Sequence, residues 1–317
     1  MFTGAGTSAY AGSAIAESWP TAMAVATTDL LLQSPESIRR RHSAFVEGGV
    51  LVSLARSGDS PESAAVVEKF QKHFPAVKHV AIICNAQGRL AQVDGIAAIR
   101  LDSRTNDRSL AMTCSFSNLV LGGLALFHNA ELAPALPSIC KRVEEAFLEQ
   151  DATLQQIAEA TSDRVVILAS GMQALCQEAA LKIVELTAGK VMAMHESFLG
   201  FRHGSIGFLR EDTPILCFLS SDPYKRRFEE DVIRDLQAKG LGRAVIIGGS
   251  GVKQSEGEIH LPVAAPGLED GLRTPFEITL VQLLAYHLSV AVKVDPDNPS
   301  PDGTITRVVR PFHIHAA

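Results

Sequence analysis

Residues 50–68 constrain the fold more than any other stretch. The apolar run Val50-Leu51-Val52-Ser53-Leu54-Ala55 empties into a hydroxyl-rich loop, Ser57-Gly58-Asp59-Ser60, and Pro61 then opens a segment that stays helical in character through Glu68. The run has the continuity of a strand buried on both faces. Ser60 as N-cap and Pro61 at the first helical position are helix start signals. A strand–loop–helix unit points backbone N–H groups and the positive helix end at one spot, which suits a phosphate. Ser57, Ser60 and Ser63 would add hydroxyls there. The same pattern also describes an ordinary loop whose serines only cap a helix.

The first residues repeat the arrangement, with Phe2-Thr3 running into Gly4-Ala5-Gly6-Thr7-Ser8. Gly4 and Gly6 match the first two glycines of a dinucleotide fingerprint, and the third position falls on Ala9. Asp29 follows a predicted strand at about the distance of the ribose-binding acid. A nicotinamide-dependent dehydrogenase is therefore one reading. Two hydroxylated loops, Thr7-Ser8 and 57–63, fit a phosphomonoester better than a pyrophosphate laid along one helix.

Strands alternate with helices along the whole chain, the pattern of parallel sheets with helices on both faces. Predicted strands at 2–5, 22–27, 50–55, 79–84 and 97–100 are followed by a helical stretch at 110–129 and one or two amphipathic helices over 138–161. The pattern then restarts with strand 165–169, a turn at Ser170-Gly171, helix 173–188, strands 191–194 and 214–219, helix 225–239 and strand 243–247. A last helix is predicted over 275–293. Val165–Gly171 echoes Phe2–Gly6, as a divergent duplication would. The 317 residues are enough for two medium α/β domains.

A net charge of −6 implies no basic surface for nucleic acid. The five cysteines, at 84, 114, 140, 176 and 217, form no CxxC pair and read as reduced thiols of a cytoplasmic protein. The longest apolar run, Leu119–Phe127, is too short to span a bilayer, and the N-terminus carries no basic signal-peptide region. Neither nucleic acid nor membrane is an expected partner.

Glu178, Lys182 and Glu185 are spaced i, i+4, i+7 and share one helical face, opposite Leu175, Ala179, Ile183 and Leu186. A solvated face with one Glu–Lys pair, worth ~0.3–0.5 kcal/mol, accounts for such a row. So does a ligand site, because this helix opens at Gly171 out of a buried strand, and open α/β sheets bind ligands at their carboxyl edge. Arg202-His203-Gly204 puts a histidine in a loop, where it is either structural or a proton donor and acceptor near neutral pH. His313 and His315, with His287, make a poor metal set. Alternate histidines on a strand point to opposite faces, and no acidic or cysteine cluster accompanies them. No metal and no cofactor are expected.

Five segments taken together resemble the sugar isomerase (SIS) family. They are Gly4-Ala5-Gly6-Thr7-Ser8, Ala55-Arg56-Ser57-Gly58-Asp59-Ser60-Pro61-Glu62-Ser63, Asn106-Asp107-Arg108-Ser109-Leu110-Ala111-Met112-Thr113, Glu178-Ala179-Ala180-Leu181-Lys182-Ile183-Val184-Glu185 and Phe201-Arg202-His203-Gly204. They span nearly the whole chain. The resemblance is nearest to the branch of tagatose-6-phosphate ketose/aldose isomerases and galactosamine-6-phosphate deaminases. The isomerase half of glucosamine-6-phosphate synthase is a more distant likeness.

The resemblance implies an α/β fold of two SIS subdomains, 1–145 and 146–317, each a five-stranded parallel sheet between helices in three αβα layers. It also implies a homodimer whose active sites lie near the interface. On it, Thr7, Ser8, Ser57 and Ser60 match phosphate-loop positions. Glu178, Lys182 and Glu185 match the active-site helix, with Glu185 as proton-shuttling base and His203 as a ring-opening histidine from the neighbouring subunit. The implied reaction is deamination and isomerisation of galactosamine 6-phosphate, or a close hexosamine phosphate, to tagatose 6-phosphate and ammonia. A plain aldose–ketose isomerase and a non-catalytic sugar-phosphate binder are the alternatives.

The chain departs from the family at Ala55, where the synthase has a phosphate-binding serine, and at Ser205, where a proline is common. No lysine follows Lys293, which leaves Arg307 or Arg310 to replace a site-closing lysine near the C-terminus. The chain also begins inside the first strand, without the helical N-terminal segment usual in this branch.

Overall fold

A computed structural model of the chain describes residues 1–247, 258–262, 265, 267–310 and 313–315. The chain divides into two compact units. One runs from Met1 to Phe127 and includes the tail from Ser300, and the other spans His128–Pro299. A boundary at 145/146 would fall inside a helix. The helical segment α6 (Cys114–Ala160) breaks its regular backbone at His128 (φ −116°, ψ 20°), and the division lies there.

The first unit holds β1 (Phe2–Thr3), α1 (Thr7–Glu17), α2 (Thr27–Leu32), α3 (Pro35–Arg41), α4 (Ser43–Val46), β2 (Val50–Ala55), α5 (Pro61–His73), β3 (Lys78–Ile83) and β4 (Ile96–Arg100), before α6 begins. Its sheet is parallel with strand order β1-β2-β3-β4, and β2 pairs with β3 from Val50↔Lys78 to Ala55↔Ile83. Four strands replace the expected five. The segment at 22–27 contributes a single parallel bridge, Phe2↔Ala24, before Thr27 starts α2. The residues from 27 to 46 form three short helices that their sequence pattern does not announce. Leu30, Ile38, Phe45 and Val46 on them pack against Leu51, Val66 and Phe70.

The second unit contains β5 (Arg164–Ala169), α7 (Gln173–Leu186), β6 (Met192–Glu196), α8 (Phe198–Phe201), β7 (Pro214–Phe218), α9 (Pro223–Ala238), β8 (Arg243–Ile247), β9 (Ile259–Leu261) and α10 (Asp270–Ala291). Its five parallel strands run in the order β6-β5-β7-β8-β9. Val165, Val166, Ile167, Leu168 and Ala169 are all fully buried, as a strand covered on both faces requires. The helix α10 starts five residues before the prediction and keeps Pro275 inside it. β9 was not predicted.

One 18-residue window of α6 is apolar and charge-poor enough to match a membrane span by length and composition, and 28% of that window is buried within the chain. The run Leu119–Phe127 alone had not shown it. Pro134 and Pro137 lie inside the same helix.

Candidate active site

The carboxyl end of the first sheet gathers both predicted phosphate loops. β1 and β2 are hydrogen-bonded neighbours, so the loops that leave them emerge side by side. Gly6 takes a positive φ of 55° and starts α1, whose first two residues are Thr7 and Ser8, 4% and 6% exposed. Gly4 is needed because a Cβ there would stand 2.5 Å from the Ser8 backbone. After β2, Ser57 is buried and Gly58 turns with φ 73°. Ser57 Oγ accepts from Asp59 N at 3.2 Å, and Asn85 Nδ2 donates to Ser57 O at 3.1 Å. Ser60 holds the N-cap position with Pro61 following, but its hydroxyl makes no capping bond. The loop therefore keeps helix-start geometry without spending the Ser60 side chain on it.

Arg56 is marked by sequence pattern only as a member of the 55–63 motif. It is 6% exposed, and its guanidinium donates to the carbonyls of Ser109 (3.1 Å), Leu110 (2.9 Å) and Arg307 (2.7 Å). Arg307 in turn donates to Asp107 O (Nε, 3.0 Å) and to Asn106 Oδ1 (2.6 Å). The Asp107 carboxylate takes the N–H groups of Thr113 (3.0 Å), Cys114 (3.1 Å) and Ser115 (2.9 Å), capping α6 from outside the helix. Residues 106–113 thus link the β2 loop to the tail. Arg307, a candidate to replace the closing lysine, is engaged in that link, and Arg310 is exposed.

In the second unit, Glu178, Lys182 and Glu185 lie on α7. They are not a solvated face. The side chains of Glu178 and Lys182 are 0% exposed and that of Glu185 is 20% exposed. Lys182 Nζ stands 3.3 Å from Glu178 Oε1 and forms a second, shorter ion pair with Glu185 Oε2. Burial alone would lower the lysine pKa, but the two flanking carboxylates outweigh it and hold the ammonium above its usual value. A buried cation with a carboxylate on each side can hold one carboxylate oriented for proton transfer. The carboxyl-edge argument covers only the start of this helix. Glu185 lies twelve residues beyond Gln173, about 18 Å along the axis at 1.5 Å per residue.

His203 lies beyond the carboxyl end of the edge strand β6, in an exposed turn. Its N–H donates to Gly200 O at 2.9 Å, and Gly204 follows with φ 123°. Buried Phe198, Phe201 and Leu209 pin the turn from both sides. Four predicted residues therefore sit at one sheet edge of the first unit. Three share a helix of the second, and the fourth projects into solvent from the same unit.

The nicotinamide reading loses its acid. Asp29 is an exposed residue in the first turn of α2 and does not end a second strand. His313 and His315 are not on a strand. Their rings meet edge to face with centroids 4.5 Å apart, while His287 pairs with Asp151 at 2.8 Å. Among the described residues no three His, Cys, Asp or Glu side chains gather as metal ligands.

No known protein-family profile matches the chain. It is 36% identical over 324 residues to D-galactosamine-6-phosphate deaminase AgaS of Shewanella sp. (strain ANA-3), covering 99% of this chain and 81% of that protein. The crystal structure of tagatose-6-phosphate ketose/aldose isomerase from Escherichia coli superposes with a TM-score of 0.86 at 28% identity, over 99% of this chain and 85% of that one. The C-terminal domain of glucosamine-fructose-6-phosphate aminotransferase from Francisella tularensis gives 0.76 at 19% identity, over 93% and 85%, which is a likeness of fold.

Proposed function

The chain belongs to the sugar isomerase family, in the branch of its D-galactosamine-6-phosphate deaminase relatives, and from that membership we propose that it converts galactosamine 6-phosphate, or a close hexosamine 6-phosphate, to tagatose 6-phosphate and ammonia. The observation that carries the reading is the buried Glu178–Lys182–Glu185 row, because the reaction needs a base that moves a proton between adjacent carbons beside a fixed cation.

The phosphate anchors at Thr7, Ser8, Ser57 and Ser60. His203 opens the pyranose as acid and base, supplied by the neighbouring subunit of a homodimer. Glu185 removes the proton at C2, which moves the electron pair toward O1 and gives an enolamine. The same carboxyl returns the proton to C1. The C–N double bond then formed at C2 takes up one water and releases ammonia, leaving the ketose phosphate. Lys182 holds the Glu185 carboxylate in place through their ion pair, and Glu178 balances Lys182. The buried thiols Cys84, Cys176 and Cys217 support a reducing, cytoplasmic setting.

The likeness to a ketose/aldose isomerase structure favours one second reading, in which the proton transfer is the whole reaction. Incubation with galactosamine 6-phosphate, glucosamine 6-phosphate and tagatose 6-phosphate, with ammonia and ketose assayed separately, distinguishes the two. Equimolar ammonia and ketose from galactosamine 6-phosphate is the expected result. Ketose–aldose interconversion without ammonia establishes the plain isomerase. Binding without turnover of any of the three overturns the enzymatic reading.

A further inference from the structure

The two sheets share one topology. Counting the Phe2↔Ala24 bridge as the second strand, each sheet runs second-first-third-fourth-fifth in chain order. In that order the ligand crevice opens at the carboxyl ends of the first and third strands. These are β1 and β2 in the first unit, and β5 and β7 in the second. The loops there correspond. Ser57-Gly58-Asp59-Ser60-Pro61 follows β2, Ser220-Ser221-Asp222-Pro223 follows β7, and each proline begins a helix.

The second crevice is occupied by the chain itself. Ser220 Oγ donates to Asp270 Oδ2 at 2.5 Å, and the N–H and Oγ of Ser221 donate to Oδ1 at 2.6 and 2.8 Å. Arg273 NH1 donates to the same oxygen at 3.0 Å. Lys225 Nζ lies 3.9 Å from Oδ2, and a Cβ on Gly171 of the β5 loop would sit 3.1 Å from that ammonium. Asp270 is 8% exposed. Two serine hydroxyls, a loop N–H, an arginine and a nearby lysine form the donor set of a bound phosphate. Glu229, fully buried, accepts from Ser220 N at 2.8 Å through Oε2. Without Asp270 the cations Lys225, Arg226 and Arg273 would face Glu229 and Glu277. Arg226 is tied to Ser220 O at 2.9 Å and Arg273 to Glu277 at 2.6 Å.

We propose that the second unit retains a phosphate-binding crevice between β5 and β7 and that Asp270 fills it as an internal anion, so that the chain carries one open phosphate site and one closed by its own carboxylate. The comparison rests on the phosphate reading of the first unit. Closure gives each chain one sugar-phosphate site and fastens the start of α10, which packs along α7.

The test uses Ser57→Ala/Ser60→Ala as parent and adds Asp270→Ala, with inorganic phosphate as probe. Wild type against parent reports on the first unit alone, and equal phosphate affinity of those two would count against that reading without touching the second crevice. The triple variant is expected to bind one phosphate per chain at least tenfold more tightly than the parent. It should also melt higher in phosphate than in chloride of equal ionic strength, while parent melting is the same in both. A triple variant that folds only in phosphate also supports the proposal. One that behaves alike in both buffers, or folds in neither, overturns it.

Discussion

Arg56 donates to the main-chain carbonyl of Arg307 at 2.7 Å, while the Arg307 guanidinium reaches back to Asn106 and Asp107. Two arginines 251 positions apart in the chain thereby close a ring around residues 106–110. A hydrogen bond from a charged donor contributes about 1.5–3 kcal/mol, so Arg56→Met should cost at least that much in urea unfolding. Arg56 acts through the loop it positions. Arg56→Lys is therefore expected to raise KM for the sugar phosphate more than it lowers kcat. An unchanged KM in a folded Arg56→Lys variant would show the ring to be structural only.

Lys182 separates two carboxylates inside the protein, and removing one partner of a buried ion pair costs about 3–5 kcal/mol. Lys182→Met should lose stability on that scale at pH 7. Its deficit should shrink below about pH 5, where carboxylates take up protons. In the wild type the Lys182 pKa is raised, so its contribution is complete below the unfolded-lysine value near 10.4 and is lost as pH rises through the higher folded value. Denaturant titrations of both proteins from pH 4 to 11 check this. A Lys182→Met deficit independent of pH would contradict the pairing.

His79 on β3 lies between Leu51 and Ile96 across the sheet, and neither ring nitrogen has a partner. Burial lowers its pKa. The unfolded chain binds this proton first, so stability is complete above about pH 6.5 and declines as pH falls from there toward the depressed folded value. His79→Leu should flatten the thermal-stability profile between about pH 6.5 and 5 relative to wild type. Superimposable profiles would assign the acid sensitivity elsewhere.

His203→Ala and Glu185→Gln, each nearly inactive alone, are expected to regain activity when mixed as subunits, because one site in the mixed dimer receives both intact residues. Groups that act as one unit fail together rather than additively. About half the activity of one wild-type dimer per mixed dimer is therefore expected. No recovery despite demonstrated subunit exchange would place both residues in one subunit's site.

The elements that came through from sequence are those whose signal is local. β5 and β7 carry unbroken apolar runs, each followed by Ser, β2 is interrupted only by Ser53, and strands covered on both faces need nothing else. The loops that follow β1 and β2 were legible for the same reason. The row at 178, 182 and 185 was visible as a row, but spacing alone does not tell a solvated face from a buried one. That difference is set by the elements packed around α7, namely α10, β5 and β6. Arg56 and Asp270 could not be assigned because their partners are remote in sequence: Arg56 meets Arg307, and Asp270 meets Ser220 fifty positions away. The strand expected at 22–27 shrank to one bridge because the chain turns into α2 at Thr27, whose hydroxyl meets Thr3 at 3.0 Å.

Solvent exchange tests the central claim most directly. Galactosamine 6-phosphate would be incubated in deuterium oxide with wild type and with Glu185→Gln, following label at C1 and C2 by NMR and ammonia in the same tubes. Wild type should release ammonia and introduce solvent label. Glu185→Gln should bind the substrate with little change, yet exchange and release should both fall by about 10²–10⁴-fold, the usual contribution of a positioned base. Near-normal exchange in Glu185→Gln would contradict the assignment of the proton transfer to this helix.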